Sequence, residues 1–414
     1  MSESKAKTDE FKKGWAVLLA ATLGSACGLS SLPYYSLGLF IAPLQAEFGW
    51  SRGQIASAFL YSTLVLAVIA PIMGSLIDRV GSRLVALVSI PLFAMVFVIL
   101  SRFNGTLALF YALYAVSALL GAGTTPINYT RAVNQVFDKA RGLALGISQA
   151  GIAVAAIALP LFLVVIIKDH GWRTGYFALA MLMLVPWLFV LFGLRKRGER
   201  EGAATQAAQA KRPANAAAEA GTRSGLFRSG VFWTVGLSFA AAALAVSGLV
   251  VHMVPLMRDM GMDPVMAAGT ASIIGVGVLV GRLLTGYLID HFFAPFVAAT
   301  LFSLTAAGCL VLLYGGPGLA VFAAALIGVS LGAEADLIAY LTARYFGMAH
   351  YAKVYGYIYS MFALGAAAGP ALAGAAYDVN RNYTMAIWGV ITLLLVASFA
   401  ISRLPRFEQY TSPL

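Results

Sequence analysis

The sequence predicts an all-α membrane protein of twelve transmembrane helices in two pseudo-symmetric six-helix bundles. Three observations lead there. Of the 414 residues, 60% are hydrophobic and only 11% charged, against roughly 25% charged in soluble domains. Apolar runs of about 18 residues or more, long enough to cross a hydrocarbon core of ~30 Å as a helix, recur along the whole chain. A loop sequence also returns at matching places: GSLIDRVGSR at 74–83 reappears as GYLIDHF at 286–292, an offset of 212. Phe137 is echoed by Phe346 at a similar offset of 209, so the chain reads as an internal duplication.

The elements follow in order. The segment 1–14 is charged, and the first apolar run, 15–43, is too long for a signal peptide and has no small-residue cleavage site, so helix 1 is expected to be retained. Runs at 53–77, 84–101, 105–135, 141–167 and 174–194 complete a first bundle spanning 15–194. Residues 195–229 are basic and Ala-rich without a core-forming pattern, which is the composition of a linker. Runs at 231–257, 264–289, 293–314, 318–345, 353–376 and 384–403 form a second bundle, 230–403, followed by the tail 404–414. Two like bundles around a midplane site are a transporter plan.

The net charge of +11 reports topology rather than a nucleic-acid partner. With the N-terminus inside, the inner segments hold twenty of the 28 Lys and Arg, the outer loops six, and helices the remaining two. That asymmetry predicts both termini in the cytoplasm. The setting is expected to be a plasma membrane, and the short loops suggest a bacterial inner membrane. Cys27 and Cys309 lie one in each half, so neither a disulfide framework nor a metal site is indicated, and no cofactor is called for. A monomer is the expected working unit.

Gly74, Asp78, Arg79, Gly81 and Arg83 resemble the loop motif of the major facilitator superfamily. VFDKARGLALGISQAG, 136–151, is similar to the helix 5 signature of the monocarboxylate porters: Phe137, Lys139, Arg141, Leu143, Ala144, Gly146, Ala150 and Gly151 match. Val136 stands in place of a Tyr, Ala140 of a basic residue and Ser148 of an Ala. GLFIAPLQAEFGWSR, 38–52, resembles the first outer loop of the monocarboxylate porter and oxalate:formate antiporter group. The resemblance implies the major facilitator fold, alternating access, and transport of small organic carboxylates, with protons as the expected coupling partner; the abundant tyrosines suit an aromatic or hydroxy acid as well as lactate.

Arg282, in the apolar run 271–290, carries the sharpest functional signal. It lies about 12 Å along a helix from Asp290, and an arginine at that depth needs an anion. The resemblance assigns the helix 8 arginine to the substrate carboxylate, a role that suits a rigid, permanently charged fork. The alternative is a fixed ion pair with Asp336 or Glu334 of helix 10. Where the family often has an Asp four residues earlier, this chain has Val278.

Asp336 and Glu334 point about 200° apart on a helix. On helix 4, Thr124, Asn128, Arg131 and Gln135 form a polar stripe, and its image on helix 10 selects Asp336, with Tyr340 one turn on, as the cavity acid and proton carrier. The competing role for either acid is to neutralise Arg131 or Arg282. His252 is a titratable candidate, though an isolated membrane His is more often a hydrogen-bonding group. Tyr35 stands where several monocarboxylate porters have a Lys. Asn128, Tyr129, Gln149, Tyr355 and Tyr359 are further candidates for the cavity. Asp78, Arg79, Arg83 and Asp290 belong to the repeated gating loops.

Two other functions compete with carboxylate symport, besides anion exchange. A proton-driven drug exporter would share the loop motif, but its helix 5 GPxxGG is missing. An intramembrane serine protease is suggested by GVSLG, 328–332, with Ser330 and His252, but the motif lacks its strand–turn–helix context. No enzyme activity is expected.

Overall fold

The computed structural model describes residues 2–137, 140–193 and 226–407. Lys139, most of the linker 195–229 and the end of the tail 404–414 lie outside the described residues, as do the side chains of 2–7, Asp78, Arg141, Gly142, 348–350 and Ala352. Among the described residues, twelve α-helices run in order: α1 (Ser2–Ala26), α2 (Leu32–Phe48), α3 (Arg52–Val80), α4 (Ser82–Ser101), α5 (Leu107–Gly121), α6 (Pro126–Val136), α7 (Arg141–Gly193), α8 (Gly230–Asp259), α9 (Pro264–His291), α10 (Ala294–Tyr314), α11 (Ala320–Asn380) and α12 (Thr384–Ser402). No strand occurs among the described residues.

Ten spans among the described residues are long and apolar enough to cross a membrane. Both differences from the expected twelve crossings fall in the first half. The run 15–43 is divided, because α1 stops at Ala26 and α2 resumes at Leu32 for only 17 residues. The span Leu143–Gly193 counts once although its 51 residues would extend about 77 Å as one helix, over twice the bilayer core. It breaks at Gly171, where φ is 81°. Gly347 breaks α11 in the same way at φ 72°, immediately after Phe346, one of the two repeat landmarks. Side chains resist that left-handed region, so glycine is the residue that turns the chain there.

Helix ends follow local chemistry. Asp263 caps α9 by accepting from the amides of Val265 (2.9 Å) and Met266 (3.2 Å), with Pro264 in the first helical position. Ser229 caps α8 through the Phe232 amide. The repeated loops sit at equivalent turns, one at Gly81 between α3 and α4 and the other at Phe292 between α9 and α10.

Backbone contacts divide the chain into two compact units, Met1–Pro43 with Tyr61–Pro213, and Leu44–Leu60 with Ala214–Leu414. In the first, α1 and α4 pack on α7, and Gly151 brings α7 so close to α1 that an added Cβ would lie 2.1 Å from the Thr22 carbonyl oxygen. In the second, α8 and α9 pack on α11. The α9–α11 contact is a zipper of Gly277 and Gly281 against Gly328 and Gly332, the small-residue device that lets membrane helices approach backbone to backbone. A Cβ on Gly281 would stand 2.2 Å from the Val329 carbonyl oxygen. Gly281→Val is therefore expected to lower the melting temperature of the detergent-purified protein, as overpacking does at roughly 1–3 kcal/mol. Melting followed by size-exclusion fluorescence checks it, and an unchanged midpoint would show that the helices part without penalty.

Candidate functional site

The α9–α11 zipper sets Arg282 of α9 opposite Asp336 of α11. Arg282 Nε and Asp336 Oδ2 are 3.9 Å apart, with the two side chains 30% and 41% exposed. At that separation the charges attract but do not hydrogen-bond. No acceptor among the described residues takes a hydrogen bond from Arg282, and its Nε is buried without one. The guanidinium therefore keeps its donor fork available.

The second half of α11 contributes the tyrosines. Tyr355 stacks between Tyr351 and Tyr359, with ring centroids 5.5 and 5.6 Å away, and Tyr359 also meets Phe362 at 5.5 Å. Glu334 differs sharply from Asp336. It is fully buried, and neither carboxylate oxygen has a hydrogen-bond partner among the described residues. The two acids are thus separated in environment as well as in helical angle. Tyr340 packs its ring against Phe407, at 6.3 Å between centroids.

The other sequence candidates serve varied ends. In the first unit, both amide hydrogens of Asn128 go to backbone carbonyls, those of Ser82 (3.1 Å) and Gly123 (2.9 Å), which ties α6 to the start of α4. Arg131 donates to the Ile77 carbonyl, and Arg83 to that of Leu191 at 2.9 Å. Tyr129 is buried against Gly24, its hydroxyl without a partner among the described residues, and Gln149 Oε1 is buried in the same condition. Tyr35 meets Tyr34 edge-on at 4.9 Å. Arg79 and Asp290 are exposed, while the Asp78 side chain is outside the described set.

His252 is buried, with Nε2 2.8 Å from the Pro370 carbonyl oxygen and Nδ1 2.8 Å from the Tyr383 hydroxyl. A carbonyl only accepts, so Nε2 donates to Pro370, while Nδ1 shares a hydrogen bond with the Tyr383 hydroxyl. Tyr383 in turn accepts from Arg52 Nη1 at 3.0 Å. It lies between α11 and α12, and burial pushes its hydroxyl above the ordinary tyrosine range, which keeps it neutral and able to relay both bonds.

The sequence did not single out the cluster that Arg52 organises. Its guanidinium grips Asp259 bidentately, at 2.7 and 2.8 Å, and lies 3.7 Å over the Tyr377 ring. Asp378 accepts the amides of Arg52 (3.0 Å) and Gly53 (2.9 Å) at the start of α3, where a carboxylate meets the positive end of a helix. The available signals were Arg52 closing the GWSR stretch and two tyrosines flanking Asp378 in YDVNRNY. Their meeting needs a contact across more than 300 residues.

Among the described residues, no group of three or more His, Cys, Asp or Glu is placed to hold a metal.

The comparisons agree with this architecture. The family model described as Major Facilitator Superfamily matches residues 23–370. Monocarboxylate transporter 13 of Bos taurus is 24% identical over 412 residues, covering 97% of this chain and 91% of its own. Monocarboxylate transporter 4 of Gallus gallus is 26% identical over 385 residues, covering 89% and 78%. The crystal structure of a D-xylose–proton symporter superposes with a TM-score of 0.69 at 15% identity, covering 96% of this chain and 98% of its own, a likeness of fold alone. The protein is a multi-pass membrane transporter of small molecules, not an enzyme, and it belongs to the Major Facilitator Superfamily.

Proposed function

We propose that the protein is a proton-coupled symporter of small organic monocarboxylates, working as a monomer by alternating access in a bacterial inner membrane with both termini cytoplasmic. One observation carries this reading: a membrane-embedded arginine, Arg282, whose fork no described acceptor occupies and whose nearby acid is held loosely at 3.9 Å. A substrate carboxylate matches that fork with two parallel charge-assisted bonds, stronger than the existing contact. Asp336 is then a place-holder that balances Arg282 while the site is empty. The relatives named as monocarboxylate transporters support the substrate class, and the charge asymmetry supports the orientation.

Glu334 supplies the proton site in this reading. A fully enclosed carboxyl group without a donor is stable as the neutral acid, since an unpaired buried charge is among the most unfavourable states in a protein. It loses its proton when the helices around it move and water reaches it. The test is uptake of labelled lactate and benzoate into proteoliposomes, with and without an inward proton gradient, against protein-free vesicles. Gradient-stimulated uptake supports symport, whereas uptake only against a preloaded anion means exchange. Glu334→Gln is expected to bring gradient-driven uptake down to the level without a gradient while carboxylate counterflow persists. Stimulation that survives in this variant would move the proton to another group.

A further inference from the structure

A groove of about 680 Å³ opens in the first unit, between the start of the apolar part of α1 and the last turns of α7. That volume falls in the ~300–1,000 Å³ range of ligand clefts. Its base is a close helix contact, since a Cβ on Gly193 would lie 2.7 Å from the Ala16 carbonyl oxygen. One wall is apolar: Leu188 and Phe192, four residues apart, share a face of α7, with Phe189 beside them. On the other wall stand Lys13, Trp15 and Ala16 of α1.

Two chemistries meet there. Phe192 is 74% exposed and Trp15 61% exposed, surface that a multi-pass chain leaves to lipid rather than to water. One turn before Ala16 come Lys12 and Lys13, both exposed, and among the described residues neither makes an ion pair or a hydrogen bond. The apolar run of α7 ends beside them at Gly193, and the sequence turns to Arg195, Lys196 and Arg197 two residues later. Basic side chains at the rim of an apolar groove, with a tryptophan beside them, mark the boundary between hydrocarbon and headgroups.

We propose that this groove binds an anionic phospholipid, with the phosphate on Lys12 and Lys13 and an acyl chain laid along Leu188, Phe189 and Phe192. Arg282 belongs to the second unit, so the lipid site is distinct from the proposed carboxylate site. In the orientation proposed above the groove faces the inner leaflet, whose anionic lipids attract lysines next to a membrane span. The phosphate complements two ammonium groups that have no protein partner, and the acyl chain removes Phe192 from water. A zwitterionic lipid offers the same chains but brings its own cation to the two lysines.

Native mass spectrometry of the detergent-purified protein tests this, with titration by phosphatidylglycerol and by phosphatidylcholine of the same acyl chains. One phosphatidylglycerol is expected to be retained about tenfold or more tightly than phosphatidylcholine. Lys12→Gln/Lys13→Gln should lose about tenfold to thirtyfold of the phosphatidylglycerol affinity, and Phe192→Ser should weaken both lipids. Arg228→Gln/Arg406→Gln, which removes two exposed charges elsewhere, should leave retention unchanged. Melting curves of the same samples establish that each variant is folded. Equal retention of the two lipids, or equal losses in the two charge-pair variants, overturns the proposal, because either result means an unspecific lipid shell. Retention of neither lipid overturns it as well, and means that another part of the chain closes the groove.

Discussion

Arg282→Gln is expected to abolish carboxylate uptake. Removing one partner of a desolvated charge pair weakens binding by about 2–5 kcal/mol, or roughly 30-fold to several thousand-fold at ~1.4 kcal/mol per decade. Arg282→Lys should fall between the variant and the parent, because an ammonium keeps the charge but not the planar fork. The same substitution also leaves Asp336 without its cation, so stability has to be separated from transport. The double variant Arg282→Gln/Asp336→Asn removes both charges. If it folds but does not transport, Arg282 holds substrate. If it transports normally, the arginine served only as the counterion of Asp336, and the proposed carboxylate site is wrong.

Arg52→Ala should lower the stability of the second unit. It removes the bidentate contact to Asp259, the bond to Tyr383 and the stacking on Tyr377 at once. The Asp259 side chain is 34% exposed, so the ion pair itself contributes at most about 1 kcal/mol, and the bond to Tyr383 adds about 1 kcal/mol more. Thermal unfolding in detergent should show a midpoint lower by several degrees, with Arg52→Lys recovering part of it. A double-mutant cycle with Asp259→Ala isolates the pair, because its coupling energy subtracts the unrelated effects of each truncation. A midpoint that does not move in Arg52→Ala would mean that the cluster is solvated and contributes nothing to the fold.

Some of the site was legible from residues alone. Arg282 stood out because an arginine inside an apolar run needs an anion wherever the helix goes. The two acids of α11 were separable by helical angle, since 100° per residue is a property of the helix itself. Their environments were not. The 209 offset selected Asp336 as the cavity acid, and the folded chain adds that Glu334 is the fully enclosed one. Asn128 and Arg131 lay on a polar stripe, and each gives at least one donor to a backbone carbonyl near a helix end. Periodicity identifies a polar face without saying whether a ligand or an unsatisfied carbonyl meets it.

Composition and hydrophobic periodicity by themselves determined the all-α membrane fold, because both depend on residue type and spacing within single helices, and the motifs at 38–52, 74–83 and 136–151 carried the resemblance to the family. The tertiary structure decided which side chains meet. Arg52 joins Asp259, Tyr377, Asp378 and Tyr383 across 207 to 331 residues of sequence, and Arg282 comes within 3.9 Å of Asp336. No local pattern encodes such encounters. They follow from how closely glycine lets one helix approach another and from where a positive-φ glycine turns the chain.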